Sequence, residues 1–119
     1  MNCTEATQEI IEIIPDVKGE FTNQRTAVTP YKVISIFTGQ IKNLIVNNDR
    51  TTLRRCIQKM NRFYRYGDQS LKNAIENNFI YSLDSFTFCC EPAYKKMIFN
   101  RLSSNLQNNY LRQVYKSGI

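Results

Sequence analysis

The sequence predicts an all-α protein, a single compact bundle of five or six helices with an antiparallel helical hairpin at its centre. Apolar residues recur at helical spacing through most of the chain. The joints carry helix-start chemistry at Thr29-Pro30, Asp49, Gly67-Asp68 and Glu91-Pro92. The one alternating stretch, Ser85-Phe86-Thr87-Phe88, is too short to build a sheet. A chain of 119 residues that is 42% hydrophobic can bury one core. Residues 1–119 are therefore read as one domain, with an acidic first helix and loop over 1–21 and a helical core over 29–116.

The first helix is expected to open at Thr4, its cap, with Ile10, Ile11, Ile13 and Ile14 on the apolar side and Pro15 as the stop. Asp16 to Val28 reads as a loop pinned to the core by Val17 and Phe21. Thr29-Pro30 restarts a helix carrying Val33, Ile34, Ile36, Phe37, Ile41, Leu44 and Ile45, with Gly39 in its middle and Asn47-Asn48 at its end. Gly67 is expected in the left-handed conformation after a helix, with Asp68 capping the next one. That helix bears Leu71, Ala74, Ile75, Phe79 and Leu83 on one face. Phe86 and Phe88 are expected to plug the bundle. Glu91-Pro92 opens a helix with Met97, Ile98 and Leu102, Ser103-Ser104 breaks it, and Leu106, Tyr110, Leu111 and Val114 continue. Lys116 to Ile119 are expected to fray.

The stretch with most functional content is Arg50 to Tyr66. At about 100° per residue, Leu53, Cys56, Ile57, Met60, Phe63 and Tyr64 share one arc. Arg50, Arg54, Arg55, Lys59, Arg62 and Arg65 lie on the other side, and the segment has no acid. The apolar face asks for a core and the basic face for water or an acidic partner. The candidate partner-binding residues are therefore Arg50, Arg54, Arg55, Lys59, Arg62 and Arg65, with Tyr66 as a stacking or interface side chain.

The net charge of +6 is unevenly spread. Residues 1–21 hold five acids against Lys18 and residues 22–119 hold fifteen cations against five acids. Such asymmetry points to an acidic protein or nucleoprotein partner, or to an acidic first helix folded across a basic domain. The chain has no histidine, so a histidine base, a Cys–His dyad and histidine metal ligands are excluded. Cys3, Cys56, Cys89 and Cys90 lack metal-ligand spacing and are read as free thiols, with no metal and no cofactor expected. No phosphate-binding glycine loop occurs, and Glu76 and Asp84 do not specify a carboxylate pair. No enzymatic activity is expected. The chain has no membrane-length apolar run and no signal-peptide pattern, so a cytoplasmic protein is expected.

Gly67 to Leu83, GDQSLKNAIENNFIYSL, resembles a pattern of small helical bacterial domains, through Gly67, Asp68, Leu71, Asn73, Ala74, Ile75, Phe79, Ile80 and Leu83. The broader likeness covers Tyr31 to Tyr115. Some of these domains are similar to immunity proteins of polymorphic toxins. The resemblance implies a helical fold and a non-catalytic antagonist that binds and inhibits an enzyme. Tyr81 and Ser82 stand where that pattern often has an acid, and this chain is basic where immunity proteins against nucleases tend to be acidic. The expected function is such an antagonist, either toxin-immunity-like or a phage-borne inhibitor of a host defence nuclease such as an anti-CRISPR. The alternative is a small basic module that contacts RNA or DNA directly.

Overall fold

The computed structural model describes residues 1–22 and 28–116. Helix α1 spans Cys3–Ile13 and is capped by Asn2, whose side chain accepts the Glu5 N–H at 3.0 Å. Thr4 is already helical, so the cap falls two residues earlier than expected. Pro15 ends α1, but the following segment is not a plain loop. It forms a 3₁₀ turn, Pro15–Val17, and a short helix α2, Lys18–Thr22. Val17 and Phe21 lie four residues apart, about one helical turn, and both enter the core. The rest of that expected loop, residues 23–27, lies outside the described residues.

Helix α3, Pro30–Val46, opens as expected, with Thr29 accepting the Lys32 N–H. Val33, Ile34, Phe37, Thr38 and Ile41 are buried along one side. It ends at Asn47, and Asn48 takes a left-handed φ of 56°, a conformation asparagine tolerates. Helix α4, Arg50–Tyr66, is capped by Asp49. Of its predicted apolar arc, Leu53, Cys56, Ile57, Met60 and Phe63 are fully buried, and Tyr64 at the edge is partly buried. Phe63 meets Phe37 of α3 with ring centroids 5.8 Å apart.

Asp68 caps α5, Gln69–Ala74, as expected. Gly67, however, is extended at φ −68°, not left-handed. Its lack of a side chain matters because a Cβ there would collide with the Phe63 carbonyl oxygen and lie 2.8 Å from Leu71 Cδ2. The predicted long helix through Leu83 also fails to continue. After Ala74 it widens into a π-helical segment, Ile75–Ile80. The wider turn lets Ile75, Phe79 and Ile80 all face inward. Helix α6, Leu83–Thr87, turns Phe86 onto Phe79 at 5.7 Å. Two residues on, Phe88 points the other way and is 83% exposed, so only one of the two expected plugs is a plug.

Helix α7, Pro92–Arg101, and helix α8, Ser104–Lys116, follow the expected break. Ile98, Leu102 and Leu106 are buried there, while Leu111 is exposed. Fraying was expected from Lys116 on, but Lys116 still belongs to α8, and residues 117–119 lie outside the described residues. The described residues thus hold eight α-helices rather than five or six. The expected central hairpin is lopsided, because the return limb of α4 is only the six residues of α5. Instead α3 packs against α4, α5 and the π segment, with α1 laid across α3 and α4. Ala6, Ile10, Val17 and Phe21 join the same buried cluster as the later helices. Among the described residues, no helix is long and apolar enough to cross a membrane.

Candidate functional site

The buried arc of α4 fixes its rotation, so its basic residues project away from the core. They do not form one uniform patch. Arg50 stacks on Tyr94 of α7, its guanidinium 4.7 Å from the ring centroid, and donates to Asn48 Oδ1. Arg54 and Arg55 are exposed and make no ion pair among the described residues. Lys59 is taken up by α1: its Nζ lies 2.8 Å from Glu9 Oε1. Arg62 Nε donates to the same oxygen, also at 2.8 Å. The acidic first helix therefore covers the middle of the basic face and leaves its two ends open.

Those contacts leave an electrostatic signature. Partial burial alone would raise the Glu9 carboxyl. Hydrogen bonds from Arg62 and Lys59, with their charges, outweigh it and hold Glu9 below the ordinary value of 4.5. Arg62 is correspondingly pushed up by the Glu9 hydrogen bond and charge.

At the C-terminal end, Arg62 and Arg65 flank the Tyr66 ring at 5.5 and 5.3 Å from its centroid. Tyr66 is 53% exposed. Beside it lies a depression of about 580 Å³ between α4 and the start of α8, lined by Gln58, Arg62, Arg65, Tyr66, Ser104 and Asn105 among others. A second depression of about 300 Å³ shares Tyr64, Arg65 and Asn105 with it and adds Lys72, Asn108 and Arg112. Among the described residues, no carboxylate lines either one. Tyr64 stands between them with its hydroxyl donating to Glu76 behind it; burial and that hydrogen bond push Tyr64 up to about 12.

Asn61 holds this groove in place. Its Nδ2 donates to the Arg101 carbonyl and its Oδ1 accepts the Ser103 N–H, each at 2.9 Å. One side chain thus satisfies both backbone groups freed where α7 breaks before α8. The basic segment marked Arg62, Arg65 and Tyr66. The α8 amides Asn105 and Asn108 were missed, since only the angle between α7 and α8 brings them there.

The candidate carboxylates are engaged structurally. Glu76 accepts from Tyr64, and Asp84 accepts from Tyr110 at 2.7 Å with Lys95 at 3.4 Å. Cys56 is buried in the core, and burial pushes its thiol up to about 12. Among the described residues no group of three or more cysteine, aspartate or glutamate side chains is gathered as a metal site would need.

A family model described as Domain of unknown function (DUF7674) matches residues 7–116. The chain belongs to this family. The match runs from α1 to the end of α8, so Glu9, α4 and the groove all fall within the DUF7674 domain. No curated protein and no solved structure matches the chain.

Proposed function

We propose that this chain is a non-catalytic antagonist that binds an acidic surface of a partner enzyme and inhibits it. The carrying observation is the pair Arg54 and Arg55, held outward by the fully buried Leu53, Cys56 and Ile57 beside them and without an ion-pair partner among the described residues. A helix locked by its core fixes the backbone beneath both cations, so ordering on binding is confined to the side chains, and guanidinium groups suit planar, bidentate recognition of carboxylates. Arg50 and Tyr94, stacked at the same end, are residue types that dominate protein interfaces. A toxin-immunity protein and a phage-borne inhibitor of a host defence nuclease both fit this surface.

The test is capture from the native host with tagged protein, before and after nuclease treatment, followed by assay of the captured enzyme. The proposal expects one enzyme to be retained after nuclease treatment and inhibited in proportion to added protein. A captured enzyme whose rate is unaffected by saturating protein would overturn it.

A further inference from the structure

The groove between α4 and α8 carries its own chemistry. Arg62, Arg65, Lys72 and Arg112 stand around two adjoining depressions that no carboxylate lines among the described residues. Of these four cations, only Arg62 is ion-paired among the described residues. The remaining lining is rich in hydroxyl and amide groups, which bond to phosphate and sugar oxygens as readily as to base edges. Tyr66, flanked by Arg62 and Arg65, offers a half-exposed aromatic face at one end. Cations following a track beside a stacking ring are the combination that holds single-stranded nucleic acid.

We infer that this groove binds the phosphodiester backbone of a single strand, with one base stacked on Tyr66. Arg65 is the hinge of the recognition. It lies against Tyr66 and also lines both depressions. A phosphate draws the guanidinium off the ring, and the vacated face takes the base. An acidic protein surface would use the same cations, so competition by polyglutamate separates the two occupants. The inference extends the proposed antagonist: its partner would be an enzyme holding nucleic acid, contacted by Arg54 and Arg55 on protein and by the groove on the strand. It rests on that reading only for its biological setting, since strand binding is measurable without the enzyme.

The test is fluorescence anisotropy with labelled oligo(U) and oligo(dT) of roughly 8 nucleotides, at several salt concentrations. Wild type should bind saturably, with log K falling against log salt at a slope of about −2 to −3 for four contacts at about 0.7 each. Arg65→Ala/Arg112→Ala should weaken binding at least about tenfold and make the slope shallower by about 1.4. Tyr66→Phe should bind like wild type, and Tyr66→Ala should lose at least about fivefold with the slope unchanged. Thermal melts of each variant matching wild type would establish that the fold is intact. Saturable binding of either oligo(U) or oligo(dT) with these variant effects supports the inference. Three results would overturn it: no saturable binding at low salt, equal affinity of the Arg65/Arg112 variant, or displacement of the strand by polyglutamate at equal charge concentration. Failure here with enzyme capture still sensitive to Arg54 and Arg55 would remove the groove and leave the antagonist. Strand binding without any inhibited enzyme would do the reverse.

Discussion

Glu9 of α1 accepts a hydrogen bond from Arg62 of α4 at 2.8 Å, across 53 residues of sequence, and the same oxygen also takes Lys59. The contact ties the acidic start of the chain to its most basic helix. It also divides that helix, neutralising the middle of a face whose ends remain open.

Glu9 should therefore report on acid stability. Its carboxyl titrates below the ordinary value in the folded protein, so its contribution is complete above about pH 4.5 and is lost as pH falls through the lower folded value. Glu9→Gln should lower the melting midpoint near neutral pH by about 2–5 °C, a partly exposed ion-pair effect that shrinks with added salt. The gap between variant and wild type should narrow as pH falls toward 3. Melting curves across pH 3–7 check this, and a gap that widens in acid would contradict it.

Gly39 and Gly67 should respond oppositely to alanine. Gly39 lies within α3 with nothing within 4 Å of where a Cβ would sit, so no close helix contact requires a glycine there. Gly39→Ala should stabilise by about 0.5–1 kcal/mol through helix propensity. Gly67→Ala must move the α4–α5 joint to clear the Phe63 carbonyl and Leu71, and should destabilise by about 1–3 kcal/mol. Urea titrations of both variants measure the difference directly.

The thiols should separate by position. Cys89 is exposed, whereas Cys56 is buried and pushed up to about 12, chiefly by burial. Alkylation at pH 8 should modify Cys89 in the native protein. Cys56 should react at least about a thousandfold more slowly, at a rate set by opening of the fold. Mass spectrometry of time points reads both. Early modification of Cys56 would mean that α4 is turned differently from the arrangement described.

Much of this was legible in the sequence. Leu53, Cys56, Ile57, Met60 and Phe63 fall on one arc, and a single rotation buries them all, so α4 could be oriented from spacing alone. Thr29, Asp49 and Asp68 announced their caps, because capping is local chemistry. What escaped depends on tertiary packing. The π segment exists because Ile75, Phe79 and Ile80 are all buried by α3 and α8, a demand that regular 3.6-residue spacing does not reveal. Phe88 looked like a core residue until the helical turn of α6 chose Phe86 instead. Glu9 could be seen as acidic, but its choice of Lys59 and Arg62 over Arg54 and Arg55 depends on where α1 crosses α4. The same holds for the groove, since Arg112 and Asn108 approach Arg65 only after Asn61 has set the start of α8.

The most direct test of the central claim compares wild type with Arg54→Glu/Arg55→Glu as inhibitors of the captured enzyme. Neither arginine has an ion pair to lose among the described residues, so the variant should melt within about 2 °C of wild type, as surface substitutions generally do. Reversing two cations that face an acidic surface should raise the inhibition constant at least about a hundredfold. An unchanged inhibition constant in a normally folded variant would show that this end of α4 only faces water, and would contradict the assignment of α4 as the binding face.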